Sequence, residues 1–112
     1  ANNDNTFCPP TTALLMGTRN AAAALGWEEN IGSVEPGKQA DLVLVDIDNW
    51  RYRMIQHPLR SFLVAGGSND VDTVIVAGKV VLQDGKSTQL DDEQIFQDYA
   101  AALVTARARI FG

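Results

Sequence analysis

One histidine, one cysteine and fourteen acidic side chains are the first candidates in this 112-residue chain for bases, nucleophiles or metal ligands. His57 is a candidate ligand or general base. It stands alone before Pro58, with no second histidine and no carboxylate close in sequence, which favours a structural place at the start of a helix. Asp4, in the run Asn2-Asn3-Asp4-Asn5, is a candidate metal ligand that would lack partners, since a protein metal site needs about three. Cys8 adjoins Pro9-Pro10 and has no visible activating charge, so it reads as an incidental thiol. Asp70, Asp72, Asp91 and Asp92 do not follow the spacing of a calcium loop, and a solvated acidic face with a helix cap accounts for them better. Trp27, Trp50 and Tyr52 could stack on a ligand, but aromatics near loops more often fill the seam between helices and a sheet. Gly32, Gly37 and Gly66-Gly67 do not make a phosphate-cradling G-x-G-x-x-G. On these grounds no residue is assigned a catalytic, cofactor-binding or metal-ligating role.

Composition sets the frame around those residues. Hydrophobic residues make up 46% and charged residues 21%, as in ordinary globular chains, so disorder throughout is not expected. The length fits one domain and is too short for a (β/α)₈ barrel, which needs about 250 residues. The net charge of −5 and the absence of a Lys/Arg cluster argue against nucleic-acid or anionic-membrane partners. No apolar run can span a bilayer and no signal peptide is visible, so a cytoplasmic protein is expected.

The elements that must position these side chains follow from local pattern. Residues 1–12 read as an irregular lead-in, and Thr11 or Thr12 can cap a helix over Ala13–Leu25, with Gly26 just past its end. The side of that helix carrying Leu14, Thr18, Ala21 and Leu25 is small, which permits a close neighbour. Pro36-Gly37 suits the centre of a type II turn, with Lys38 solvated beside it. Strands are expected around 32–34, 41–46, 71–76 and 79–83. The 42–45 run should be buried on both faces, with Asp41 and Asp46 ending it. Residues 49–70 read as a loop, a short helix over 58–64 and a glycine-rich exit. Ala77-Gly78 closes a two-residue hairpin, and Asp84-Gly85-Lys86 turns the chain again. Asp91 and Gln94 suggest a capping box for a last helix whose apolar stripe is Ile95, Tyr99, Leu103, Ala106 and Ile110.

Two sequence blocks then carry a family resemblance. The stretch ALLMGTRNAAAALGWEENIGSVEPGKQADLVLVDID from Ala13 to Asp48 contains an A-x-A-L-G-type helix end at Ala22–Gly26. It continues with I-G-S, G-K and A-D-L-V-x-x-D at Ile31–Ser33, Gly37-Lys38 and Ala40–Asp46. The stretch DVDTVIVAGKVVLQDGK, Asp70–Lys86, follows the pattern V-x-x-V-x-V-x-G-x-x-V-x-x-x-G. Together they resemble the C-terminal portion of the amidohydrolase superfamily, in its aminohydrolase and chlorohydrolase subgroup.

The resemblance implies a much longer enzyme whose barrel holds zinc or iron and activates water. Its ligands would be an H-x-H pair, two further histidines and an aspartate. Ala1–Asp4 resembles the loop just after that aspartate, so the resemblance implies no cofactor in this chain itself. It also implies an α+β fold in three stretches: 1–30 as lead-in and last barrel helix, 31–90 as the strands of a composite β-sandwich-like sheet, and 91–112 as the C-terminal helix. The other strands of that sandwich would come from an N-terminal part. The expectation is a fragment or truncated relative of a metal-dependent hydrolytic deaminase, not catalytic alone. Open sheet edges would be satisfied in a homodimer, with strands exchanged, or by a barrel-bearing polypeptide. The alternative is a stand-alone oligomeric binding module. A third reading, a new site at a subunit interface, would depend on His57 or Cys8.

Overall fold

The computed structural model describes residues 8–54 and 56–112. The lead-in over 1–7, Asp4 included, lies outside the described residues. The fold is α+β, as expected: helices around one four-stranded antiparallel sheet.

The first helical stretch is two helices rather than one. Helix α1 (Pro10–Gly17) starts on Pro10, whose fixed φ and missing N–H suit a first helical position. Thr11 and Thr12 therefore fall inside the first turn instead of capping it. Thr18 then leaves helical geometry at φ −124°, ψ −90°, and its hydroxyl donates to Leu14 O at 2.7 Å. Helix α2 (Arg19–Ala24) ends in a Schellman motif. Trp27 N–H donates to Ala22 O at 2.9 Å and Gly26 N–H to Ala23 O at 3.0 Å, with Gly26 at φ +70°.

The close neighbour falls on Ala22 rather than on the side expected to admit one, where Leu14, Ala21 and Leu25 are exposed. A Cβ on Gly32 would lie 2.8 Å from Ala22 Cβ, and Gly32 has φ +96°. That close approach is made by an irregular segment, so the strand expected at 32–34 is absent and Val34 is exposed. The type II turn is present, with Lys38 N–H donating to Glu35 O at 3.2 Å and Gly37 at φ +91°.

The sheet runs β1 (Leu42–Val45), β2 (Val71–Val76), β3 (Lys79–Gln83) and β4 (Lys86–Ser87), in that spatial order. Leu42 faces Ile75, Leu44 faces Thr73, and Val74 faces Leu82. Ala77 and Gly78 both take positive φ, +49° and +80°, the geometry of a type I′ hairpin. Asp84 and Gly85 repeat it at +51° and +73°, which returns the chain as the short strand β4, missed in the sequence reading. The strand β1 is not buried on both faces. Val43 and Leu44 are half exposed, because the described residues supply a single sheet with no layer over it at those positions.

Between β1 and β2 the chain makes an excursion through α3 (Trp50–Arg53), α4 (Pro58–Ala65) and a 3₁₀ turn over Ser68–Asp70. Asn49 caps α3 by accepting from Arg51 N–H at 3.1 Å. Helix α4 packs against both α3 and α1.

Helix α5 (Asp92–Phe111) is capped by Asp91, whose carboxylate accepts from Gln94 N–H at 3.0 Å. The capping box is only half made, since the Gln94 side chain donates forward to Asp98 at 2.9 Å. No residue of α5 is buried; the stripe residues Ile95, Tyr99, Leu103 and Ile110 are 45–71% exposed. Among the described residues the buried apolar side chains are Ala22 and Tyr52, and no helix is long and apolar enough to cross a membrane.

Candidate functional site

The most constrained group of chemically capable side chains lies where the 46–70 excursion rejoins the sheet. Asp70 ends the 3₁₀ turn and is 4% exposed. Its Oδ2 accepts from the Tyr52 hydroxyl at 3.1 Å and from Gly67 N–H at 3.1 Å, and its Oδ1 accepts from Arg51 Nη2. Arg51 and Tyr52 are consecutive on α3, whose short turn aims both toward the start of β2. Burial alone would push the Asp70 carboxyl up, but the Gly67 amide, the Tyr52 hydroxyl and Arg51 together hold it below the ordinary carboxylate value. Burial, and then the neighbouring Asp70 carboxylate, push the Tyr52 hydroxyl up. The group thus sets a carboxylate beside a phenol and a guanidinium. General acid–base work needs a pKa near the operating pH, and this arrangement moves Asp70 and Tyr52 away from it.

This corrects the sequence reading of Asp70 as part of a solvated acidic face. The signal was available only in part: Asp70 follows a glycine pair, and nothing local indicates that Arg51 and Tyr52 return to it. Tyr52 is buried, with its hydroxyl on Asp70 at the end of the 3₁₀ turn. Trp27 and Trp50 are not buried, being 58% and 73% exposed. Asp72 accepts from the Thr73 hydroxyl at 2.8 Å, and Asp92 from Ser87 N–H at 3.1 Å.

The other candidates are scattered. His57 is exposed and holds the first position before α4, where its carbonyl accepts from Ser61 N–H at 3.0 Å. Cys8 is exposed, at a groove between the start of α1 and α4. Asp41 does more than end a strand: its Oδ1 accepts from Ala77 N–H at 2.7 Å and so supports the hairpin turn. Lys38 is not simply solvated. Its Nζ donates to Ser33 Oγ at 2.8 Å and lies 3.3 Å from Glu35, whose carboxyl it holds below its usual value. A cleft of about 470 Å³ beside Lys38 is lined by Arg19, Asn20, Glu28, Glu29 and Glu35, and these cations and carboxylates leave it without a single-sign field. Among the described residues no three His, Cys, Asp or Glu side chains converge on one point, and Asp70 is already engaged by three donors. The described donors therefore do not fit a metal.

The sequence pattern of the Amidohydrolase family matches residues 1–81. The chain belongs to that family. Among curated relatives of this amidohydrolase chain, the 5-methylthioadenosine/S-adenosylhomocysteine deaminase of Moorella thermoacetica is 42% identical over 93 residues, covering 83% of this chain and 22% of the relative. The 5′-deoxyadenosine deaminase of Methanobrevibacter smithii is 41% identical, covering 81% and 21%. An adenosine deaminase of Xanthomonas campestris, solved with bound zinc, superposes with a TM-score of 0.82 at 33% identity, over 95% of this chain and 24% of that one. The atrazine chlorohydrolase of Arthrobacter aurescens, complexed with zinc, gives a TM-score of 0.77 at 25% identity, over 89% and 22%. This amidohydrolase chain spans about a fifth of the length of the curated relatives it matches.

Proposed function

We propose that these residues form the C-terminal module of a zinc- or iron-dependent hydrolytic deaminase acting on an adenosine-type substrate. Water would enter and ammonia leave at the purine ring, with the metal and water-activating groups held on a barrel outside the described residues. The module supplies no catalytic group; it contributes the α1–α2 pair and a sheet layer that other strands complete as a sandwich. Its one cysteine suits a reducing compartment such as the cytoplasm.

One observation carries this reading. The accessible surface is 9284 Å², whereas a compact monomer of this mass exposes about 6,000 Å². The exposed apolar side chains include Val43 and Leu44 on β1, Trp27, and the stripe of α5. Such a surface is suited to burial against more protein. The deaminase relatives, each several times longer, support the class of reaction.

The test is reconstitution. The 112-residue chain is prepared alone and together with a barrel-bearing polypeptide, and ammonia release from S-adenosylhomocysteine and 5′-deoxyadenosine is followed. Activity is expected only for the pair, co-migrating on a sizing column with light scattering. A discrete small multiple of 12.1 kDa, melting cooperatively and ignoring the barrel polypeptide, would overturn this reading in favour of a stand-alone oligomeric module.

A further inference from the structure

Residues 46–70 leave the sheet after β1 and rejoin it at β2, and among the described residues apolar burial holds them only in part, with Leu59 and Phe62 half-buried. Tyr52 is buried, but Trp50, Met54, Leu63 and Val64 are exposed. Neither α3, with four residues, nor α4, with eight, is long enough to persist on its own helical propensity. What closes the excursion is polar and converges on one residue. Asp46 N–H donates to Asp70 O at 2.7 Å, which joins the two ends. The Asp70 carboxylate joins the middle through Arg51 and Tyr52, and the exit through Gly67 N–H.

We propose that Asp70 is a latch whose carboxylate holds the whole 46–70 excursion onto the sheet, so that its release frees α3 and α4 together, and with them the contact between α4 and α1. The unit that opens is set by connectivity. Among the described residues α4 packs against α3 and α1, and α3 and the 3₁₀ turn that follows α4 are both tied to Asp70. The β2–β3 hairpin has its own closure at Ala77-Gly78, braced by Asp41, and stays formed when the latch opens. The far side of α4 faces Pro10 and Ala13 of α1 across a groove lined by Arg60, Leu63 and Val64. Opening therefore uncovers Pro10 and Ala13 of α1. The latch works whatever reaction the complete protein performs, so deaminase activity is not its readout.

Amide hydrogen exchange in the complete protein tests it. In Asp70→Asn, amides of 50–53 and 58–66 are expected to exchange roughly tenfold faster or more, since a charged acceptor is lost to three donors. Amides of 71–83 should stay within about twofold of the parent. Tyr52→Phe removes one donor and should give the same pattern at smaller size. Equal acceleration across 71–83 would mean a general stabiliser and overturn the latch, as would unchanged exchange over 50–66. Should Asp70→Asn not fold, Tyr52→Phe and Arg51→Met decide: a local rise confined to the excursion supports the latch, and a uniform rise or none overturns it.

Discussion

The 46–70 excursion and helix α5 are comparable in length and are held in opposite ways. The excursion has weak local signals: a four-residue helix, a proline-started second helix and a glycine pair. It is fixed by long-range polar contacts to Asp70. Helix α5 has strong local signals. Asp91 caps it, Asp92 and Glu93 lie in its first turn, Arg109 lies in its last, and alanines fill its middle. Yet none of its residues is buried, and it is joined to the sheet at its start, where Asp92 accepts from Ser87 N–H. One region has a position and little intrinsic form. The other has form and no covered face. A helix can be written by its own sequence, but its place in a fold is written by what it packs against.

That contrast can be broken experimentally, and acid is the strongest lever. The Asp70 pKa is lowered on folding, so its contribution is fully present above the usual carboxylate range and is lost as pH falls through the lowered value. Exchange at 50–53 should therefore accelerate in acid before α5 loses its circular dichroism at 222 nm. Melting of both together would erase the distinction.

Next in size is Gly66→Ala. A Cβ there would sit 2.5 Å from Phe62 O and 2.8 Å from Phe62 Cα, although Gly66 has an ordinary φ of −72°. The end of α4 must shift, at a cost of about 2–3 kcal/mol. The loss should appear as a lower denaturant midpoint with faster exchange in 58–66 and none in α5.

Asp91→Ala acts on the other partner of the comparison. Loss of the cap to Gln94 N–H should cost about 1 kcal/mol, seen as fraying of the first turn of α5 by exchange. The excursion should not respond.

The smallest effect is expected between the two regions. Ala77 holds φ +49° in a type I′ turn, a conformation that costs an L-residue about 1 kcal/mol. Ala77→Gly should regain up to about that amount, offset in part by the greater freedom of glycine in the unfolded chain, and raise the thermal midpoint slightly.

Elements with a local cause were legible in the residues. Pro36-Gly37 gave its turn, Gly26 its helix end, Ala77-Gly78 its hairpin, and Pro58 the start of α4. The misreadings have local and tertiary origins. The pattern at 32–34 looks like a strand, yet Gly32 is pressed against Ala22 by tertiary contact and the segment bends. The first helix also breaks at Thr18, directly after Gly17, where the Thr18 hydroxyl bonds back to Leu14 O. The run Leu42–Val45 has the composition of a strand covered on both faces, and the described residues leave it half exposed. The polar cluster at Asp70 was illegible because its members lie 18 and 19 positions apart, and no period or motif links them.

The sequence by itself determined the family, the Ala77-Gly78 hairpin turn and the existence of α5. Backbone preferences at glycine, proline and capping residues act over a few positions, and motif spacing is preserved in the chain order. Only the tertiary structure decided that Asp70 is buried and fastened, that Lys38 is held by Ser33 and Glu35, and that Asp41 braces a hairpin. Those outcomes depend on which distant donors arrive at a carboxylate once the chain has folded, and the desolvation that makes such contacts matter exists only then.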